Sequence, residues 1–133
     1  TAAETGHLVL STLHTASAAD SILRIIDSFP PHQQTQVLNQ LAGSLRAIIT
    51  QQLLPRVNGG LVAAREILIN NQAVANLIRR NEVSQIMSVI QTSFKDGMMP
   101  MNKSIEALAA QGIISSETAA LRTRSVSTQA TYY

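Results

Sequence analysis

Apolar positions follow three different spacings along this chain, and each spacing predicts a different element. Leu8 to Leu13 is a run without alternation, broken only by Ser11 and Thr12. Such a run reads as a strand buried on both faces, as in a parallel sheet. Ser17-Ala-Ala-Asp20 follows as a capping box with Asp in the Glu place, and opens a helix with Ala19, Ile22, Leu23 and Ile26 on one face. Pro30-Pro31 stops that helix, and Pro31 suits the first turn of the next. Val37, Leu38, Leu41, Leu45 and Ile48 recur at helical spacing, predicting a helix over 32–48. The spacing then becomes extended: 49–54 and 61–69 read as two strands around the turn signal Val57-Asn-Gly-Gly60.

Beyond Asn70-Asn71 every pattern is helical. A helix is predicted over 73–80. Val83, Ile86, Met87, Ile90 and Phe94 form the clearest apolar stripe, which Gly97 ends. Asn102 is the expected cap of a helix reaching Gln111, with Gly112 ending it. Ser115 or Ser116 caps a last helix expected to fade by Arg124. The division is therefore 1–70, α/β; 71–124, helical; and 125–133, a Ser/Thr-rich tail read as disordered. No internal repeat is present.

Composition narrows this little. Aromatics are 3% of the 133 residues, so the core must be aliphatic. The formal charge is +2, and among ten basic residues only Arg79 and Arg80 are adjacent, which excludes the electrostatic footprint of a nucleic-acid binder. Cysteine is absent, which removes disulfides, Cys-ligated zinc and thiol catalysis. No run approaches the roughly 18 apolar residues that span a bilayer, so no membrane insertion is expected. Thr1 is not an initiator methionine, and the expectation is that sequence lies upstream of it.

Candidate chemistry centres on His7 and His14, which bracket the first apolar run. Seven residues of straight strand at ~3.3 Å each separate them by roughly 23 Å, too far to share one metal or phosphate. A polar group at the carboxyl end of a buried strand is where α/β proteins place ligand contacts, which favours His14. Both histidines also read as ordinary surface residues. A zinc site from His7, His14 and His32 has no supporting spacing, so no metal is expected. A triad of Ser11, His14 and Asp20 lacks a nucleophile elbow. No glycine is followed by lysine, so the chain holds no phosphate-binding P-loop, and no strand ends on a Walker B acid. Arg24, Arg46, Arg56 and Arg65 suit either a subunit boundary or solvent. Met98-Met99-Pro100-Met101 suits either core packing or an adaptable surface.

Four segments resemble the type IV pilus retraction (PilT-like) branch of the secretion ATPases. Glu4 to Thr15 resembles the histidine box of that family, and Ser17 to Pro30, with Arg24-Ile-Ile-Asp27, its following helix. Gly60 to Ile67 resembles the strand before the helical end. Asn76-Leu-Ile-Arg79, Ile90-Gln-Thr92 and Gly97-Met98 resemble the branch-specific C-terminal helices. The likeness covers about residues 1–122. It implies an α/β fold: the C-terminal part of a RecA-like P-loop ATPase core, followed by a small helical subdomain. It implies a homo-oligomer, a hexamer, using ATP and Mg2+ to drive pilus retraction. It places that motor in the cytoplasm, held at the inner membrane by a pilus platform protein. His14 then falls near the nucleotide γ-phosphate as the catalytic candidate. His7, Thr12, Thr15 and Arg24 fall at the nucleotide site or subunit boundary, and Asn76, Leu77, Ile78 and Arg79 in the retraction motif.

Two positions depart from that motif, which typically reads Ala-Ile-Arg-Asn-Leu-Ile-Arg-Glu. Ala75 replaces its arginine and Arg80 its glutamate, so retraction and an accessory motor role both stay open. The lack of cysteine fits the retraction branch better than type II secretion ATPases, which usually carry a four-cysteine metal module. The expected enzyme is an ATPase as the intact protein, with this chain inactive alone. The alternative is a non-catalytic interaction module docking through the stripe Val83, Ile86, Met87 and Ile90, or a degenerate subunit. Apolar surface on the first strand predicts marginal stability for the isolated chain.

Overall fold

The computed structural model describes residues 2–129, with side-chain surroundings as far as Thr123. Helix α1 (Ala18–Asp27) starts where the sequence places it: Ser17 is its N-cap and accepts from the Asp20 amide at 3.1 Å. Ala18, Ser21, Ile22 and Ile26 form its buried face. Helix α2 (Pro31–Ser44) carries its proline in the first turn. It ends at Ser44 rather than reaching Ile48. Leu45 turns out of the helix at φ −58°, ψ 137°, and Ala47 opens strand β1 (Ala47–Pro55). The β-branched run Ile48-Ile-Thr50 satisfies its backbone better in a ladder than behind Gly43, a weak helix position.

Strand β2 (Leu61–Ile69) pairs antiparallel with β1 in a hairpin whose register sets Thr50 opposite Glu66 and Ile48 opposite Leu68. Gly59 and Gly60, at φ 85° and 77°, supply the left-handed turn. Period-2 alternation sends Thr50, Leu54, Ala64, Glu66 and Leu68 inward. Ile49, Leu53 and Leu61 stay exposed on the opposite face.

Two asparagines join the hairpin to the helices. Asn70 donates to the Ala42 and Leu45 carbonyls at 3.0 and 2.9 Å, closing the end of α2. Asn71 caps α3 (Gln72–Arg79), accepting from the Val74 amide at 3.1 Å, and donates to Asp96 at 2.8 Å. A 3-10 turn, Val83–Gln85, leads into α4 (Ile86–Thr92), and Gly97 at φ 85° ends the segment after a second 3-10 turn, Phe94–Asp96. Helix α5 (Met101–Ala110) begins after Pro100, so Asn102 is inside the helix and does not cap it. Ser115 caps α6 (Ser116–Gln129), which continues past Arg124. Once nucleated at Ala119-Ala-Leu-Arg122, the helix extends at little further cost. Helix therefore occupies 125–129 of the stretch expected to be disordered, and 130–133 lie outside the described residues.

Two aliphatic cores result. The first joins α1, α2, β2, α3 and α4 through Ile22, Leu38, Leu68, Ile78, Ile86 and Ile90. The second joins the hairpin to α5 and the α5–α6 turn through Leu54, Ala64, Met101, Ile105 and Ile114. Val83, Ile86 and Ile90 are buried, so the stripe weighed as a docking surface is core. Met98 and Met101 are buried as well, deciding that cluster in favour of packing.

The first apolar run departs most from expectation. Residues 8–13 are in no strand, and Leu8, Val9, Leu10 and Leu13 are 85, 52, 86 and 43% exposed. The only strand ladder among the described residues is β1 with β2. A strand inside a parallel sheet needs hydrogen-bonded neighbours along its edges and packed layers over its faces, and among the described residues this run joins no ladder.

Candidate functional site

A groove of about 890 Å³ separates the run 9–15 from β1. One wall carries Ser11, Thr12, His14 and Thr15; the other carries Ile48, Thr50 and Gln51 of β1, with Ser21 of α1 nearby. The groove is thus bordered by a segment that joins no strand ladder among the described residues and by the edge of β1 away from β2. Its polar groups are hydroxyls, one imidazole and one amide.

His14 is exposed, but its backbone is held. Arg24 in the last turn of α1 donates from Nη1 to the His14 carbonyl at 3.4 Å. Thr15 Oγ1 and Ser21 Oγ lie 2.6 Å apart, tying the next residue to α1. Thr12 lines the groove and is exposed. His7 lies at the far end of the segment, with its Nδ1 3.1 Å from Thr5 Oγ1. The structure therefore brings together His14, Thr12, Thr15 and Arg24, and leaves His7 apart from them. Arg46, Arg56 and Arg65 are all exposed. Among the described residues there is no cluster of three His, Cys, Asp or Glu that would hold a metal. No described helix is long and apolar enough to cross a membrane.

In α3, Asn76 and Arg79 face outward and bond to each other, Nη1 to Oδ1 at 3.1 Å, while Ile78 is fully buried and Leu77 half-buried. Ala75, where the motif has arginine, is buried in the first core. A charged side chain at that position would have to leave the core to reach water.

Two inward polar residues were not singled out from the sequence. Thr50 is buried against the groove, and its Oγ1 has no hydrogen-bond partner among the described residues. Opposite it, Glu66 is 1% exposed and accepts the Ala18 amide at 2.8 Å through Oε1. The Met101 amide lies close to the same carboxyl group. Burial holds the Glu66 carboxyl above its ordinary pKa, and Asp20 pushes the same way; the two amides oppose them without prevailing. The signal was present, since Glu66 sits midway between Ala64 and Leu68 on the inward period of β2.

Residues 1–123 match the family of type II/IV secretion system proteins. The chain is 47% identical over 119 residues to the type IV pilus retraction ATPase PilT of Pseudomonas aeruginosa, covering 90% of this chain and 35% of that protein. It is 50% identical over 123 residues to a twitching motility protein of Neisseria gonorrhoeae, covering 92% and 33%. The crystal structure of a pilus retraction motor PilT with bound ADP superposes at a TM-score of 0.77 and 47% identity, over 87% of this chain and 32% of that one. That likeness bears out the fold expected from the sequence, part of a RecA-like core with helices after it. The chain spans about a third of the length of the curated relatives it matches. With a family match over nearly all its residues, the chain belongs to the type II/IV secretion system proteins.

Proposed function

We propose that this chain is the C-terminal third of a hexameric motor ATPase that retracts type IV pili. In this reading residues 1–70 complete the RecA-like core, 71–124 form the helical subdomain, and the P-loop and acidic motifs come from the rest of the protein. ATP with Mg2+ supplies the phosphoryl chemistry when bound. The carrying observation is the groove: the edge of β1 away from β2 and the unladdered segment 9–15 both line it, and His14 is among its lining residues. A further strand seated between them would pair with one edge of Leu8 to Leu13 and with the free edge of β1, and bring a phosphate-binding loop toward His14.

The donor set fits an anion. The His14 imidazole and the Thr12 hydroxyl are presented without covering apolar groups, and a positioned donor of this kind stabilises charge that develops in a transition state. Arg24 and Ser21 hold the backbone from which His14 projects, so their role is positioning. His7, at the other end of the segment, is assigned to the subunit boundary. Asn76, Leu77, Ile78 and Arg79 form the retraction-motif helix, with Asn76 and Arg79 as its exposed pair. The motor works in the cytoplasm and meets the inner membrane through a platform protein.

The test is ATP turnover by the full-length hexamer with and without His14→Ala. A loss of roughly tenfold or more in kcat is expected, the scale of removing one positioned donor. Unchanged turnover would sink the assignment of His14, and a full-length sequence without a Gly-Lys-Ser/Thr loop would sink the motor reading.

A further inference from the structure

We propose that the outer face of the β1–β2 hairpin docks an amphipathic helix from the preceding part of the same polypeptide, and that this helix sets an acidic side chain against Arg65. The role rests on the reading above, in which a longer protein completes the sheet beside β1. The inner face of the hairpin is packed, with Leu68 in the first core and Leu54 and Ala64 in the second. On the outer face Ile49, Leu53 and Leu61 are 63, 56 and 60% exposed. From the Ile49–Ile67 row to the Pro55–Leu61 row, only Gln51 and Arg65 are polar, and they stand opposite each other. An antiparallel sheet that meets water on one face alternates apolar-in with polar-out. This hairpin is apolar on both faces, the pattern of a sheet between two packed layers.

Several observations bear on the occupant. Ile49 and Leu53 belong both to this face and to the lining of the groove. A strand seated on the free edge of β1 therefore extends the same face, and the segments flanking that strand lie over it. The relatives are about three times as long as this chain, which leaves ample polypeptide for such a layer. The inner layer is helical, and a sheet of this class carries helices on both sides. The rows from Ile49 to Pro55 cover three steps of two residues, roughly 20 Å, the length of about thirteen helical residues. Arg65, in the middle of the face, is exposed and joins no ion pair among the described residues. A cover that left its charge buried and unpaired would be strongly unfavourable, so the helix presents Asp or Glu there. A two-fold contact of this face with its own copy would instead bring Arg65 toward Arg65, a like-charge pairing at its centre.

The test uses the full-length protein. Leu61→Cys reports the outer face away from the groove, and Leu53→Cys reports it at the groove. Maleimide labelling of each, read by mass on the peptide, is expected to be at least roughly tenfold slower in the native protein than in urea. Protection at Leu53→Cys alone means that a strand fills the groove and nothing covers the face, which overturns the helix and leaves the reading of the groove standing. Rates near the urea value at both positions overturn the helix, and turnover of His14→Ala then decides the motor reading separately. A benzophenone carried on Leu61→Cys is expected to cross-link within one polypeptide, to a preceding segment with helical apolar spacing. A cross-link between two copies overturns the assignment, as does protection that appears only with anionic phospholipid vesicles. Arg65→Glu in the Leu61→Cys protein is expected to raise the labelling rate severalfold and Arg65→Lys to leave it slow, with hydrogen exchange in α3 unchanged in both. Equal labelling in the two variants, or faster exchange in α3 as well, overturns the acidic partner.

Discussion

Leu10→Ser separates what the 8–13 run does in this chain from what it does in the whole protein. Leu10 is 86% exposed, so almost all its surface is already in water. Serine removes nothing that folding buries here, and the urea midpoint of the isolated chain should correspond to a change within about 0.5 kcal/mol. In the full-length protein the account packs this run into the core beside a further strand, where a leucine contributes about 1.5–3 kcal/mol by leaving water. Scaled by the exposed fraction, that is about 2 kcal/mol. Opening of peptide 7–15 in the full-length protein, read by hydrogen exchange, should then be roughly thirtyfold more frequent in the variant. A midpoint loss above about 1 kcal/mol in the isolated chain would refute the exposed placement. Unaltered exchange in the full-length protein would refute the docked strand.

Three further outcomes follow from named contacts. Asn71→Ala removes the cap of α3 and its bond to Asp96, and should cost about 1 kcal/mol by urea unfolding; a cost no larger than that of Asn76→Ala contradicts the capping role. Glu66 is protonated more readily folded than unfolded, so its contribution is complete below the ordinary carboxylate range and is lost as pH rises through the raised value. The stability of the parent chain relative to Glu66→Gln should therefore fall with rising pH, by about 1.4 kcal/mol for each pH unit by which the folded carboxyl stands above the unfolded one. Urea midpoints from pH 4 to 7 check this, and a difference that grows with pH means the two amides outweigh burial. Ile78→Ala, at a fully buried site of the first core, should cost about 2–5 kcal/mol, and a thermal midpoint near the parent's would contradict that packing.

Local signals carried most of the fold. Ser17, Pro31 and Gly97 fix chain direction through their own backbone preferences, and each stands where its chemistry predicted. The hairpin was readable because Asn58-Gly-Gly60 demands a left-handed turn between two extended runs. The end of α2 was not: Ile48 fits a helical stripe and a strand equally well, and the choice is made by pairing with Leu68, twenty residues away. Leu8 to Leu13 failed for the same reason in reverse. Its pattern describes a strand among neighbours, and the described residues supply none. At the site, the sequence argument kept His14 apart from His7, and the structure also leaves them apart. Glu66 was overlooked because its partner, the Ala18 amide, lies 48 residues away, a pairing that no spacing along the chain reveals.

The central claim is that residues 8–15 form one wall of a nucleotide site completed by the rest of the protein. Hydrogen exchange of peptide 7–15 in the full-length protein, with and without a slowly hydrolysed ATP analogue and Mg2+, tests it directly. The account predicts slow exchange in the full-length protein, further slowing at 11–15 on adding nucleotide, and fast exchange in the isolated chain under either condition. Exchange at 11–15 that ignores nucleotide in the full-length protein would contradict it.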